Sequence, residues 1–324
     1  MSAQIAISRL IKELGDPRLG NQALLALLTK GDEAVPALAE FLRSSNPSSL
    51  PETRLLAVEG LSILRGPEAL DALIDVATKN LGGIADPVVR FAEEKVASRA
   101  ARALADFPDQ PCARETLFSL LGQKPMVGTA EAFEKLRECR AISRLAEWLE
   151  DDFVAEATRR AIIGCGPSGV AALLCSLRAK HERYGTETRM SQRRRARILS
   201  ILCELATEES VHGLEGLLAD SVATVRWNAI RLLSEKGSAA QQQKALQGAI
   251  EFLDSLGNFT RSECEELLLV HFDLARGLIV AEIDRREAKG EPDKNFEPRE
   301  TTPAILYRIL RKGREVNGIG EPRH

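Results

Sequence analysis

The chain has 324 residues, of which 44% are hydrophobic and only 4% aromatic, which predicts an interior of small and medium aliphatic side chains. The formal net charge of −3 gives no reason to expect binding to nucleic acid or to a membrane surface. No run reaches the roughly 18 uninterrupted apolar residues of a membrane-spanning helix, and Arg9, Lys12 and Glu13 interrupt any signal-peptide core. The six cysteines are scattered without a C-x-x-C pair, as is typical of reduced thiols in a cytoplasmic protein.

The first predicted helix covers residues 3–14, where apolar side chains recur at helical spacing. A Gly-Asp-Pro turn at 15–17 ends it, and residues 21–29 form the return helix of a first hairpin. Sustained alternation of apolar and polar residues is missing, so we expect almost no β-strand.

An opening phrase then recurs along the chain. Residues 31–38 read G-D-E-A-V-P-A-L and residues 66–73 read G-P-E-A-L-D-A-L, with degenerate versions at 166–173 and 208–214. Each phrase opens a helix, termed here an A helix. The spacing between the first two phrases is typical of arrays of two-helix repeats.

Each A helix is followed by a partner, termed here a B helix. The clearest B helix has Asp220 as a candidate N-cap and Gly237 as a C-terminal stop, and it forms a hairpin with an amphipathic segment at 208–218. Two long connections inside hairpins, 44–50 and 180–190, are predicted to be loops. The predicted B helices are 51–64, 87–107, 129–138, 152–163, 191–206 and 221–236.

The pattern changes toward the C terminus. A helix over 239–256 is followed by a capping box that predicts a second helix over 260–288. Apolar residues on two faces of this second helix predict that it is covered on more than one side. A polar loop over 289–301, a last helix over 302–316 and a frayed tail over 318–324 complete the prediction.

These units resemble HEAT-like repeats of the short bacterial type found in phycobilin lyase subunits. The resemblance is carried by the phrases at 31–38 and 66–73 and by D-x-x-x-x-V-R-x-x-A-x-x-L-L-x-x-x-G over 220–237. It implies an all-α chain in which six or seven hairpins stack into a right-handed α–α superhelix, an armadillo-like α solenoid. On this basis we predict a HEAT-like repeat solenoid over 1–237 and a helical C-terminal cap and tail over 238–324.

HEAT-like arrays are mostly binding scaffolds, but some relatives are enzymes, and this sequence lacks their signatures. Deoxyhypusine hydroxylase holds two irons with several His-Glu pairs, whereas this chain has four histidines and one such pair, His181-Glu182. Alkylpurine DNA glycosylases of this fold use Trp, Tyr and Asp in a basic cleft, while Trp227 here is expected to pack in the interior. His271 is expected to be a hydrogen-bonded core histidine. Walker A, G-x-G-x-x-G, H-E-x-x-H and G-x-S-x-G motifs are also missing. We therefore predict a non-enzymatic protein without cofactor or metal.

Charge is divided between the two kinds of helix, because several A helices carry an acidic excess and several B helices a basic excess. The resemblance implies that B helices line the concave face, and hence that this face is a partly basic groove. The densest basic run reaches from Arg178 to Arg197, and its competing interpretation is a solvated helix face with contacts between units. The candidate binding residues are Arg90, Arg102, Arg193, Arg194, Arg197, Arg226 and Arg231.

We predict that this concave face binds a protein partner with an acidic surface, which makes the chain a scaffold for protein–protein interaction. The alternative is a nucleic-acid-binding or DNA-repair-type HEAT-like protein, in which the same arginines contact phosphates. A third class is a lyase-like or chaperone-like modifier of another protein. No membrane association is predicted, and the sequence gives no prediction of the oligomeric state.

Overall fold

A computed structural model of the chain describes residues 2–48, 50–255, 258–289 and 301–316. The described residues form seventeen α-helices, and the β structure among them consists of two strands of two residues each. The prediction of an all-α chain is therefore confirmed at the level of secondary structure.

Proline in the first turn begins several of the helices, since its fixed φ suits a helix start and its missing N–H is not needed there. Strands β1 (Glu182–Arg183) and β2 (Thr186–Glu187) pair antiparallel between the eleventh and twelfth helices. The helices are α1 (Ser2–Glu13), α2 (Gly20–Leu28), α3 (Val35–Ser44), α4 (Glu52–Leu64), α5 (Pro67–Ala77), α6 (Pro87–Ala103), α7 (Pro111–Leu121), α8 (Val127–Leu136), α9 (Ile142–Trp148), α10 (Ala155–Gly164), α11 (Val170–Arg178), α12 (Arg189–Leu205), α13 (Ala223–Lys236), α14 (Ala239–Phe252), α15 (Asn258–Val270), α16 (Phe272–Ala288) and α17 (Thr302–Val316).

The chain divides into two compact units, one reaching to Ser176 and the other starting at Leu177. We call them unit 1 and unit 2. The predicted division at residue 237 falls inside unit 2, where α13 and α14 pack against each other. That division stays a prediction.

In unit 1 the helices pack on the next helix but one as well as on their sequence neighbours. These pairs include α2 with α4, α3 with α5, α4 with α6, α6 with α8, and α8 with α10. Their contact faces are aliphatic, and Ala57, Leu61, Val96 and Ala100 are fully buried. Small side chains allow close helix approach, while each fully buried larger aliphatic side chain contributes about 1.5–3 kcal/mol.

Gly128, the second residue of α8, sets the distance between α8 and α6. A Cβ at this position would lie 1.6 Å from the main-chain oxygen of Ser98. The Gly128 N–H also donates a hydrogen bond of 2.8 Å to the Ser98 hydroxyl. Only glycine allows this approach without moving one of the two helices.

In unit 2, α12, α13 and α14 pack in succession, and helices from α13 to α17 share one hydrophobic core. Trp227 of α13 lies in that core, stacked on Phe252 with ring centroids 6.1 Å apart. The Trp227 Nε1–H donates to Glu263 at 3.0 Å. The expectation that Trp227 packs in the interior is therefore confirmed, and its polar edge is satisfied.

The predicted amphipathic helix over 208–218 is wrong. The chain there forms two 3-10 turns, Glu209–Val211 and Glu215–Ala219. Gly213 separates them with φ of 80°, a backbone conformation that cannot continue a right-handed helix. Apolar residues do recur at helical spacing in this segment, but the conformation of Gly213 prevents one continuous helix from forming.

The predicted long helix over 260–288 is two helices, α15 and α16. Residue His271 leaves the helical region with φ of −102° and ψ of 32°, and α15 already begins at Asn258, before the predicted capping box. The Nε2 atom of His271 is buried and has no hydrogen-bond partner in the described part of the chain, so the expectation for this histidine is also wrong. Val270 and Leu274 are exposed, whereas Leu267 of the same predicted face is buried, so this face is covered only in part.

The long connection at 180–190, predicted as a loop, contains the β1–β2 hairpin. Of the loop predicted at 289–301, residues 290–300 lie outside the described residues, and so does the tail predicted at 318–324. Among the described helices none alone has the length and apolar composition to cross a membrane. Taken together, the two segments Ala155–Gly164 and Gly166–Arg178 meet the requirements of length and apolar composition, but they are bent by 116° relative to each other.

Candidate functional site

Unit 1 contains an open groove of about 2260 Å³. The B helices α4, α6 and α8 line it, together with the turn that follows α1 and residues 151–154. We call it the groove of unit 1. Its walls are helices whose mutual packing is fixed by the aliphatic core and by Gly128, so the site stands on rigid elements.

Apolar side chains are exposed to solvent in this groove. Phe91 on α6 and Leu50 before α4 are both exposed, and Phe153 ahead of α10 is 91% exposed. A chain with few aromatic residues thus places two of its ten phenylalanines in solvent on one concave surface. Exposed apolar groups that line one concavity are typical of interaction sites, whereas single exposed ones are common everywhere.

Charged side chains stand between and around these apolar groups. Most cations of the groove pair with glutamates across neighbouring helices: Arg99 with Glu59 at 3.1 Å and Lys124 with Glu94 at 2.8 Å. Lys95 differs, because its Nζ lies 4.7 Å from the centre of the Phe91 ring and no acidic side chain of the described residues lies within ion-pair distance. Lys95 therefore offers its charge to an incoming group.

A buried ion pair lies beneath the groove. Arg54 of α4 is 3% exposed and lies 3.1 Å from Glu93 of α6, whose side chain is 2% exposed. Arg54 also donates to the carbonyl oxygens of Leu42 and Ser45 and so satisfies main-chain acceptors at the end of α3. Burial lowers the pKa of the Arg54 guanidinium, and the charge of Glu93 opposes that shift. The pair fixes three helices that shape the groove.

Two of the predicted binding arginines line this groove. Arg102 is exposed and lies 3.4 Å from Glu131. Arg90 is half-buried, and its Nε donates to the carbonyl oxygen of Ile84 at 3.1 Å. Arg90 therefore holds the connection before α6 in place, and Arg102 is the better exposed cation of the two.

The other five predicted arginines lie in unit 2. Arg194 is buried, donates to the carbonyl oxygen of Ala179 and contacts the His181 ring, so its assignment to an exposed binding surface is corrected here. Arg226 is half-buried, donates to the carbonyl oxygen of Asp220 and stacks on Phe252. Of the remaining three, one is exposed and two are half-buried: Arg193, Arg197 and Arg231.

Arginines on B helices share a structural role that the sequence analysis did not recognise. Each stands in the first two turns of its helix and donates to a main-chain carbonyl in the preceding connection or in the last turn of the helix before it. The position of these arginines in the sequence could have indicated this role. An arginine near the start of a helix can reach back to unpaired main-chain carbonyls that precede the helix. The residues concerned are Arg54, Arg90, Arg194, Arg195 and Arg226.

Arg195, which was not among the predicted site residues, is the most deeply involved of these. Its side chain is 1% exposed and is paired with Glu187 at 2.8 Å and with Asp220, and its Nε donates to the carbonyl oxygen of Leu177 at 3.2 Å. Burial alone would raise the pKa of Asp220, but hydrogen bonds from Arg195 and the Val222 N–H lower it overall. This cluster ties β2, α12 and the start of α13 together.

No group of three or more metal-ligating side chains is found among the described residues. Burial and a hydrogen bond with Cys139 raise the pKa of Cys165 to about 12, which keeps this thiol protonated at neutral pH. Cys165 directly follows α10, where a helix-ending turn was predicted.

A scan against protein-family models found no match, and a search of curated proteins found none either. The case for a function therefore rests on the geometry of the groove and on the charges around it.

Proposed function

We propose that this chain is a non-enzymatic HEAT-like scaffold that binds a segment of another protein in the groove of unit 1. The observation that carries the proposal is the exposure of Phe91, Phe153 and Leu50 on one concave surface that also presents the cation of Lys95. Aromatic anchors in a concavity with charged neighbours are the usual composition of a protein-binding hot spot.

The packing of unit 1 supports the HEAT-like part of this proposal. A helices contact A helices and B helices contact B helices along the chain, as in α3 with α5 and α4 with α6, which is how stacked two-helix repeats share one core. The B helices α4, α6 and α8 line a single groove, as the resemblance to HEAT-like repeats implies for a concave face.

The size of the groove suits one helical segment of a partner. An α-helix with its side chains is about 10–12 Å across, and an open groove of about 2260 Å³ has room for one such segment. The apolar face of such a helix would cover Phe91 and Phe153, and an acidic side chain near it would meet Lys95. The expected partner is thus an amphipathic segment with acidic residues.

The glutamate-paired cations have a different role in this proposal. Because Arg99 and Lys124 already pair within the groove, a partner gains little from them and must displace a glutamate to reach them. Apolar contacts therefore supply most of the affinity, while the charges act on orientation and association rate. Binding should weaken only modestly between low and physiological salt.

Site-specific photo-cross-linking tests the proposal and identifies the partner. A benzophenone side chain at position 153 is expected to capture a defined protein in cells, while the same group at position 63 is expected to capture none. Ile63 is a matched control, because it is exposed on α4 but does not line the groove. Capture of the same partner with equal yield from both positions would contradict the proposal.

A further inference from the structure

The β1–β2 hairpin of unit 2 projects two exposed residues at its tip. Its register pairs Glu182 with Glu187 and Arg183 with Thr186, which leaves Tyr184 and Gly185 as the two turn residues. Both have positive φ, 56° and 76° respectively, as in the tight turn that best matches the twist of a two-stranded ribbon.

Buried arginines hold this hairpin rigidly against α12. Arg195 pairs with Glu187 of β2 at 2.8 Å, and Arg194 donates to the carbonyl oxygen of Ala179 just before β1. Ser191 donates to Glu187 at 2.8 Å. A ribbon this short has little stability of its own. Its position is fixed by two fully buried arginine side chains, Arg194 and Arg195.

Tyr184, at the tip, is an unusual residue type for a position with positive φ. Asparagine or glycine is the common choice at this turn position, and a bulky side chain with positive φ is an outlier. Tyr184 is nevertheless there, 91% exposed, and its ring contacts the Arg183 guanidinium at 5.2 Å. Packing inside unit 2 does not account for this tyrosine, which points to a contact outside the chain.

The surroundings of the tip are cationic. Arg178, Arg183 and Arg189 are exposed, and in the described part of the chain no acidic side chain lies within ion-pair distance of any of them. Lys180 is 43% exposed and lies 3.8 Å from Asp220, whose carboxylate is already bound by Arg195. These four cations flank the base and tip of one narrow ribbon.

We propose that this hairpin and its flanking cations form a contact site for duplex DNA, in addition to the protein-binding groove of unit 1. A two-stranded ribbon fits the major groove, which is about 12 Å wide, while arginines at its base reach the phosphates on either side. The deep and narrow major groove of duplex RNA does not admit it.

The chemistry of the patch favours DNA over the other acidic ligands. A protein hot spot needs a desolvated apolar centre, whereas the Tyr184 ring is 91% exposed and has the Arg183 guanidinium against it. Single-strand binding needs several aromatic side chains on which successive bases stack, whereas the hairpin has a single aromatic side chain, that of Tyr184. Four cations predict about four phosphate contacts, hence a slope of log affinity against log salt of about −3 to −4 and a nonspecific Kd of about 10⁻⁴ to 10⁻⁶ M.

Fluorescence anisotropy of the full chain with a labelled 20-base-pair DNA duplex, from low to physiological salt, tests the site. Replacing Arg183→Ala is expected to reduce the magnitude of the salt slope by about 1. The triple replacement Arg178→Glu, Arg183→Glu and Arg189→Glu is expected to lower affinity at least tenfold. A control with the same change in net charge replaces the exposed Arg18, Lys30 and Arg276 by glutamate, and it should bind DNA like the unmodified chain.

Tyr184→Asn separates folding from binding. Asparagine suits the turn, so the thermal midpoint should not fall, while the affinity for the duplex should drop several-fold with an unchanged salt slope. No binding at low salt, or equal loss in the two triple variants, would overturn the proposal. Tighter binding of a single-stranded 20-mer, or equal competition by poly-L-glutamate, would also overturn it, in favour of single strands or of acidic proteins respectively.

Discussion

Among single residues, the buried arginines determine how several helices and their connections are held together. Arg54 and Arg195 are both nearly inaccessible, pair with buried carboxylates and donate to main-chain carbonyls. A buried ion pair adds little net stability compared with apolar residues, but removing one partner leaves an uncompensated charge in a dry environment. These arginines fix connections between helices that the aliphatic core alone leaves free.

Arg195→Met is therefore expected to lower the free energy of unfolding by about 3–5 kcal/mol, because Glu187 and Asp220 lose their shared partner. Urea unfolding followed by circular dichroism measures the change. The control Arg189→Met removes an exposed arginine from the same helix, and its effect should stay within about 0.5 kcal/mol. Equal effects of the two replacements would show that the buried cluster has no special role.

Two ion-paired aspartates predict the direction of the pH dependence: Asp220 in the Arg195 cluster, and Asp254, which pairs with Arg286 of α16 at 2.6 Å. Burial alone raises the pKa of Asp220 and of Asp254, but hydrogen bonds from Arg195 and Arg286 lower both below the ordinary value of 3.8. A carboxylate with a lowered pKa in the folded state stabilises the fold above its unfolded-state pKa. That stabilisation is lost as the pH falls through the lower, folded-state value.

Unfolding free energies measured between pH 6 and pH 2.5 should thus fall below about pH 4. Asp220→Asn should be less stable than the unmodified chain at pH 6 and should lose less stability on acidification. A variant with the same steepness below pH 4 would contradict the role given to Asp220.

At the scale of elements, helix type and helix order were largely predictable, whereas interruptions were not. Apolar residues at helical spacing identified the helices of both units, because this periodicity is what their buried faces require. Gly213 and His271 each end a periodic segment that the spacing alone would continue. The β1–β2 hairpin was missed because its strands have two residues each and its stability comes from α12, through Arg194 and Arg195.

Contact between α6 and α8 depends on Gly128, and this dependence can be tested directly. Gly128→Ala places a methyl group against the Ser98 carbonyl, so we expect destabilisation of about 2 kcal/mol or more through displacement of α8. Gly83→Ala is the control, since nothing lies within 4 Å of the added Cβ there. Thermal unfolding compares the two, and a neutral Gly128→Ala would show that α8 is not held at this distance.

For the whole molecule, the sequence indicated an all-α chain and a candidate concave surface, but it misjudged what the arginines do. From the excess positive charge on several B helices, the sequence analysis predicted that their arginines line one binding surface. Arg90, Arg194 and Arg226 instead bind main-chain carbonyls, a use that depends on where the preceding connection runs. The exposed phenylalanines of the groove were missed because helical periodicity does not distinguish a buried apolar side chain from an exposed one beside it.

If the groove of unit 1 binds a protein partner, its exposed apolar residues should supply most of the affinity. Isothermal titration calorimetry of the captured partner with Phe91→Ser/Phe153→Ser measures this directly, with Leu25→Ser/Ile63→Ser as a control that removes exposed apolar residues outside the groove. We expect the groove variant to bind at least tenfold more weakly, equivalent to about 1.4 kcal/mol or more, and the control to bind with unchanged affinity. Equal affinity of the two variants would show that the exposed apolar residues of the groove do not bind the partner.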